Sequence, residues 1–228
     1  MIRLAGRAAV LAAICLAAIC LAACTSSLFQ SKVKPPTVYL LSAGAESPAP
    51  GTPAAEAPAT GIPAAAIPVD LTVLKPKLRP GLESDRIAVL YPDRRLDYFA
   101  DARWSGPLGE VIEDFAVQEF RSHANLRSAR GDASVFGSTR WLEIEVTDFQ
   151  AEYTSAAAAP TVHVHLLARL GGSGDRRILG QFVANARQPA AENRLTAIVD
   201  AFAHAADAAL TQIVAQADET LAKTSEAR

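Results

Sequence analysis

The sequence predicts an α+β domain, a mainly antiparallel or mixed sheet with two amphipathic helices packed on one face. Three observations carry this. Trp141 to Phe149, Thr161 to Leu170 and, less sharply, Ile178 to Arg187 alternate apolar with polar residues, as half-buried strands do. Leu108, Val111, Ile112 and Phe115, and later Leu195, Ile198, Val199, Phe202 and Leu210, recur at helical spacing. An antiparallel sheet with one wet face must cover the other, and two such helices can do so.

The chain begins with a different kind of segment. Arg3 and Arg7 precede an uncharged apolar run, Ala8 to Ala23, that ends in small residues. This is the layout of a secretory signal peptide, and residues 1–23 are read as one. The run is too short for a membrane span, since a bilayer core needs ~20 apolar residues. Its end, Leu21-Ala22-Ala23-Cys24, resembles the lipobox of bacterial lipoproteins. Cys15 and Cys20 follow the bulky Ile14 and Ile19, so only Cys24 fits as the acylated thiol. Several acyl chains hold a protein durably, each buried methylene contributing ~0.8 kcal/mol. Thr25 stands where lipoproteins kept in the inner membrane often carry Asp, so the resemblance favours the outer membrane, facing the periplasm.

Processing leaves no thiol for a disulfide, so the exported domain must stand on its core. The formal charge of -2 becomes -4 once Arg3 and Arg7 leave. That mild acidity, without a basic stripe, argues against nucleic acid as a partner.

Residues 24–37 read as a tether, which at ~5–6 Å times the square root of its length separates lipid and body by about 20 Å. A single domain follows over 38–217. Val38 to Leu41 is a short strand candidate. Residues 43–68 collapse to Ala, Pro and Gly, with prolines at 48, 50, 53, 58, 63 and 68, and read as a disordered or extended insertion. Val69 to Leu74, Arg86 to Tyr91 and Leu96 to Phe99 are strands close enough in sequence for hairpin-like pairing. Ser105 is placed to cap a helix with Pro107 in its first turn, running to about His123. Gly171 to Asp175 is a hairpin turn inside a three-strand meander. A long helix from about Ala191 to Gln216 closes the domain, and residues 218–228 form a charged, frayed tail.

Chemistry is sparse. His163 and His165, two apart on a strand, point the same way and could ligate a metal, but no third ligand lies nearby, so no metal or cofactor is expected. Nucleotide-binding, hydrolase and zinc-protease motifs are missing, and no catalytic constellation is evident. An enzyme would need those histidines to converge with acids in a pocket. Tyr91, Tyr98, Phe99 and Trp104 cluster in a chain with only 6% aromatics, as core anchors or as a recognition surface. Leu96, Tyr98 and Trp104 are the candidate partner-binding residues.

The chain also resembles the ABC-type transport auxiliary lipoproteins. The resemblance rests on Cys24, Val38-Tyr39-Leu40-Leu41, Val69-Asp70-Leu71, Arg86 to Tyr91 leading to Leu96-Asp97-Tyr98-Phe99 and Trp104, Trp141 through Phe149, and the final Ala-rich helix. It covers nearly the whole mature chain; the Pro/Ala tract departs from it. The resemblance implies a non-enzymatic, outer-membrane-anchored component of an intermembrane lipid transport system. Its partners would be a periplasmic protein with a mammalian-cell-entry (MCE) domain, an ABC permease and an ATPase, with self-association left open. A lipoprotein that activates a peptidoglycan synthase would share the lipid, linker and small domain, and is the alternative.

Overall fold

Strand β7 (Arg140–Glu152) is the longest in the sheet, and most of the other strands are arranged around it. The computed structural model describes residues 35–41, 67–133, 137–155, 157–174 and 177–226. The signal segment, Cys24, most of the tether and nearly all of the Pro/Ala tract lie outside the described residues.

Among the described residues the chain runs β1 (Thr37–Tyr39), β2 (Ile67–Val73), β3 (Lys77–Leu78), β4 (Arg86–Leu90), β5 (Leu96–Trp104) and α1 (Leu108–His123). There follow β6 (Leu126–Gly131), β7, β8 (Thr161–Gly172), β9 (Ile178–Pro189) and α2 (Leu195–Glu226). One edge of β7 pairs antiparallel with β8, which pairs antiparallel with β9, giving the expected meander. Its other edge is shared end to end by three parallel segments. β2 meets Arg140 to Leu142, β3 meets Glu145 and Val146, and β4 meets Ala151 and Glu152. Beyond them β6 extends from β2, while β5 and then β1 extend from β4. The sheet is therefore mixed and forked, and α1 and α2 complete the α+β fold.

The alternation in β7 explains its two faces, and a bulge divides it. Leu142, Ile144 and Val146 are fully buried. Val146 lies opposite Leu166, yet Asp148 lies opposite His165, so Thr147 is an extra residue that reverses the phase. Phe149 and Ala151 then enter the core, and Asp148, Gln150 and Glu152 turn to the other face. β8 keeps one phase throughout, with Val162, Val164, Leu166, Ala168 and Leu170 buried.

Helix α2 packs along β8 and β9, and α1 along β6 and α2. At the centre Phe149 of β7, Phe202 of α2 and Trp104 of β5 form a trio with ring centroids 5.1 to 6.0 Å apart. Trp104 meets both phenyl rings edge-on, and aromatic pairs of this kind contribute ~0.5–1.5 kcal/mol beyond burial. Between β2 and β6, Asp70 accepts from Arg127 through both oxygens and from Ser128. Those hydrogen bonds, Arg127 foremost, hold its carboxyl down to about 2. Asp70 thus ties a parallel pair that has no hairpin to align it.

Several sequence expectations are corrected. Strand β2 pairs with β6 and β7 and not with β4, because β4 takes β5 in the one hairpin among the early strands. Strands β3 and β6 were not foreseen, and β5 is nine residues long. Ser105 does not cap α1. The N-cap is Pro107, whose carbonyl accepts from Glu110 and Val111, while the Leu108 amide donates to the Ser84 carbonyl. The segment expected to fray is helical to Glu226, because Ala217 and Leu221 continue the buried stripe.

Candidate functional site

The phase reversal at Thr147 places polar side chains on the face of the meander away from the helices. There they floor a cleft of about 320 Å³. The floor is Asp148, Gln150 and Glu152 of β7, His163 of β8 and Arg187 of β9; the apolar wall is Leu82, Leu90 and Leu96. Arg79 and Arg94 complete the rim.

Glu152 is the hub of the floor. Its Oε2 accepts from Arg187 at 2.7 Å, and its Oε1 lies 3.1 Å from the Gln150 amide and 3.0 Å from His163 Nδ1. Burial pushes this carboxyl up, but hydrogen bonds from Arg187, Gln150 and His163 outweigh it, and the net shift is downward. His163 is 9% exposed, and its Nε2 is buried without a hydrogen-bond partner. Its Nδ1 is also 3.1 Å from Arg187, so it can donate to Glu152 or accept from Arg187, one at a time.

Asp148 accepts from Gln150 at 3.0 Å and lies 3.5 Å from Arg79 and 3.7 Å from His165. The Thr147 hydroxyl donates to the His165 carbonyl and lies 2.6 Å from His165 Nδ1. A hydroxyl has one hydrogen, so Thr147 can donate to the carbonyl or to Nδ1, one at a time. Both histidines stand beside acids, in two separate pairs, with ring centroids 6.3 Å apart. Among the described residues no group of three or more His, Cys, Asp or Glu is placed to hold a metal. Nor is any hydroxyl or thiol hydrogen-bonded to His163 among them.

The three sequence candidates separate. Leu96 is 39% exposed and lines the cleft. It also packs over Gly81, whose φ is +96° and where a Cβ would come within 2.8 Å of Leu96 Cδ2. Tyr98 is half-buried just behind, donating to the Gly81 carbonyl at 2.7 Å, with the Arg86 guanidinium 3.9 Å above its ring. Trp104 is corrected. At 1% exposure it belongs to the core trio and presents nothing to a partner. Apart from His163, the floor residues and the rim arginines were missed. The spacing of His163 and His165 was a signal, but their acidic partners depend on the bulge and on strand pairing.

Arg94 is the unusual member of the site. It closes the β4–β5 hairpin, its amide donating to the Tyr91 carbonyl, and its φ is +66°. Glycine or asparagine suits that conformation better than arginine. Among the described residues its guanidinium has no ion-pair or hydrogen-bond partner.

The fold, one mixed sheet with two helices on one face, is shared with solved structures. Protein XCC0632 from Xanthomonas campestris superposes with a TM-score of 0.65 at 22% identity, covering 83% of this chain and 99% of that one. A structure described as an uncharacterized protein superposes at 0.59 and 14% identity, covering 81% and 99%. No curated relative matches the sequence. The family model of the ABC-type transport auxiliary lipoprotein component matches residues 50–214, and the chain belongs to that family. It is accordingly a lipoprotein component of ABC-type transport.

Proposed function

We propose that the chain is a non-enzymatic lipoprotein, anchored through Cys24 in the outer membrane, that docks the periplasmic bridge of an intermembrane lipid transport system. The bridge is an MCE-domain protein working with an ABC permease and ATPase. The family match over residues 50–214 carries this reading. The signal layout, Ala22-Ala23-Cys24 and Thr25 support the anchor and its membrane. Ion pairing of both floor acids, with no nucleophile hydrogen-bonded to His163 among the described residues, supports a binding role.

The test is a crosslinked pull-down of the full-length protein, with partners identified by mass spectrometry and a Cys24→Ala form alongside. Recovery of an MCE-domain protein with its permease and ATPase supports the reading, and the Cys24→Ala form should leave the outer-membrane fraction. Recovery of a peptidoglycan synthase without transporter components overturns it.

A further inference from the structure

The cleft has two unlike sides. Leu82, Leu90 and Leu96 offer an apolar wall, with Leu96 among the exposed large hydrophobic residues. The floor is polar, and its carboxylates are already matched. Glu152 is held by Arg187, His163 and Gln150, and Asp148 by Gln150. Positive charge is left at the rim. Arg79 is 66% exposed and reaches Asp148 only at 3.5 Å, and Arg94 has no side-chain partner among the described residues. An incoming group would meet the unpaired guanidinium of Arg94, and that of the exposed Arg79 shared with Asp148, beside an apolar surface.

We propose that this cleft is a docking site for a partner polypeptide segment that presents a carboxylate beside a bulky apolar side chain. The carboxylate takes Arg94 and Arg79, and the apolar side chain lies on Leu82, Leu90 and Leu96. This rests on the docking role proposed above and names the surface that performs it.

Size and desolvation favour a peptide over a lipid. At about 320 Å³ the cleft is at the small end of ligand sites, which run from about 300 to 1,000 Å³, so it takes one side chain and a short stretch of backbone. An acyl chain laid there would strip water from Asp148, Gln150 and Glu152 and return no hydrogen bond. A peptide returns amide donors and acceptors. The setting of Arg94 agrees, since a strained φ at a rim cation is the kind of cost that accompanies a binding surface. The wall is also preformed, with Leu96 held over Gly81 and that loop fastened by Tyr98.

The test uses the full-length protein in detergent and three probes. They are a fluorescein-labelled peptide containing adjacent leucine and glutamate, short-chain dihexanoyl phosphatidic acid, and inorganic phosphate. The expected result is saturable peptide binding, weakened about tenfold or more by Arg94→Gly and by Leu96→Ser. Arg169→Gln, an exposed arginine of the same sheet paired with Glu143 outside the cleft, should leave it unchanged. Arg94→Gly relieves the positive φ, so a melting temperature at or above that of the parent protein separates lost binding from lost folding. No peptide binding, peptide binding indifferent to Arg94→Gly, or binding of phosphatidic acid or phosphate in preference to peptide overturns the proposal. If the Arg94→Gly protein still recovers the transporter components in the pull-down, docking stands and the cleft is not its surface. If the parent protein recovers none, the docking reading itself has failed.

Discussion

Val146 points into the core, and Asp148, two residues further along the same strand, points out of it. In a regular strand the two would share a face. The extra residue between them, Thr147, reverses the phase and creates the polar floor. Deleting Thr147 should close the ladder without exchanging the faces, because Asp148 then follows Val146 directly, still opposite His165, and Phe149 stays opposite Val164 in the core. The loss is the Thr147 hydroxyl bond to the His165 carbonyl, worth about 1 kcal/mol. A cooperative thermal transition slightly below that of the parent protein is the expected outcome; loss of the transition would show that the bulge itself is needed for folding.

Glu119 supplies a second prediction. It is fully buried on α1, and neither carboxylate oxygen has an aligned hydrogen bond, although His123 Nδ1 lies 3.1 Å away. Burial, with the charge of Asp207 on α2, raises its pKa above the usual carboxylate range against the opposing pull of His123. A raised carboxyl penalises the folded state once ionised. The penalty is absent below the ordinary value of 4.5 and complete above the folded value. Glu119→Leu should therefore stabilise the protein at pH 7 by about 1 kcal/mol, or ~2–4 °C in Tm. The component of that gain due to ionisation should fade as pH falls through the raised value towards and below 4.5, as melts across that range would record.

Asp70 behaves in the opposite sense. Its folded pKa of about 2 lies below the ordinary 3.8, so its ionised form favours the folded state. That contribution is present above 3.8 and lost as pH falls through about 2. Asp70→Asn should lower the urea midpoint at pH 7 and converge with the parent protein in acid. A gap that stays constant down to pH 2 would assign the effect to lost hydrogen bonds and not to charge.

Trp104 and Leu96 should separate stability from recognition. Trp104→Ala opens the aromatic core and should cost about 3–5 kcal/mol, seen as a fall in Tm. Its remaining folded fraction should capture partners as the parent does. Leu96→Ser at the exposed cleft wall should move Tm far less and reduce capture in the crosslinked pull-down. The reverse pattern would return Trp104 to the surface.

Gly171 tests strand packing. It lies opposite Trp141, whose ring covers it so closely that a Cβ would overlap Cζ2. Gly171→Ala should expel the indole from its place and break its hydrogen bond to the Gly172 carbonyl. A red-shifted fluorescence emission and a Tm fall equivalent to about 1–3 kcal/mol are expected from this overpacking.

The α+β class, the meander of β7, β8 and β9, and the cores of both helices were legible in the sequence. Each depends on the order of residues along one element. Strand alternation and helical spacing are local, so Leu142 to Val146 and Leu195 to Ala217 declare their buried faces before any packing is known. Leu96 could be named from the sequence as a partner-binding candidate, while its exposure came only with the fold. Whatever depends on pairing between distant segments emerged only with the folded chain. Folding set β2 beside β6, with Asp70 reaching Arg127, and let α2 continue because Leu221 found cover. It also withdrew Trp104 into the core. The cleft belongs wholly to this second group. A one-residue bulge changes which side chains face out without changing the composition of the strand. His163 therefore meets Glu152, and Arg94 stands over the floor, only when β4, β7, β8 and β9 are aligned.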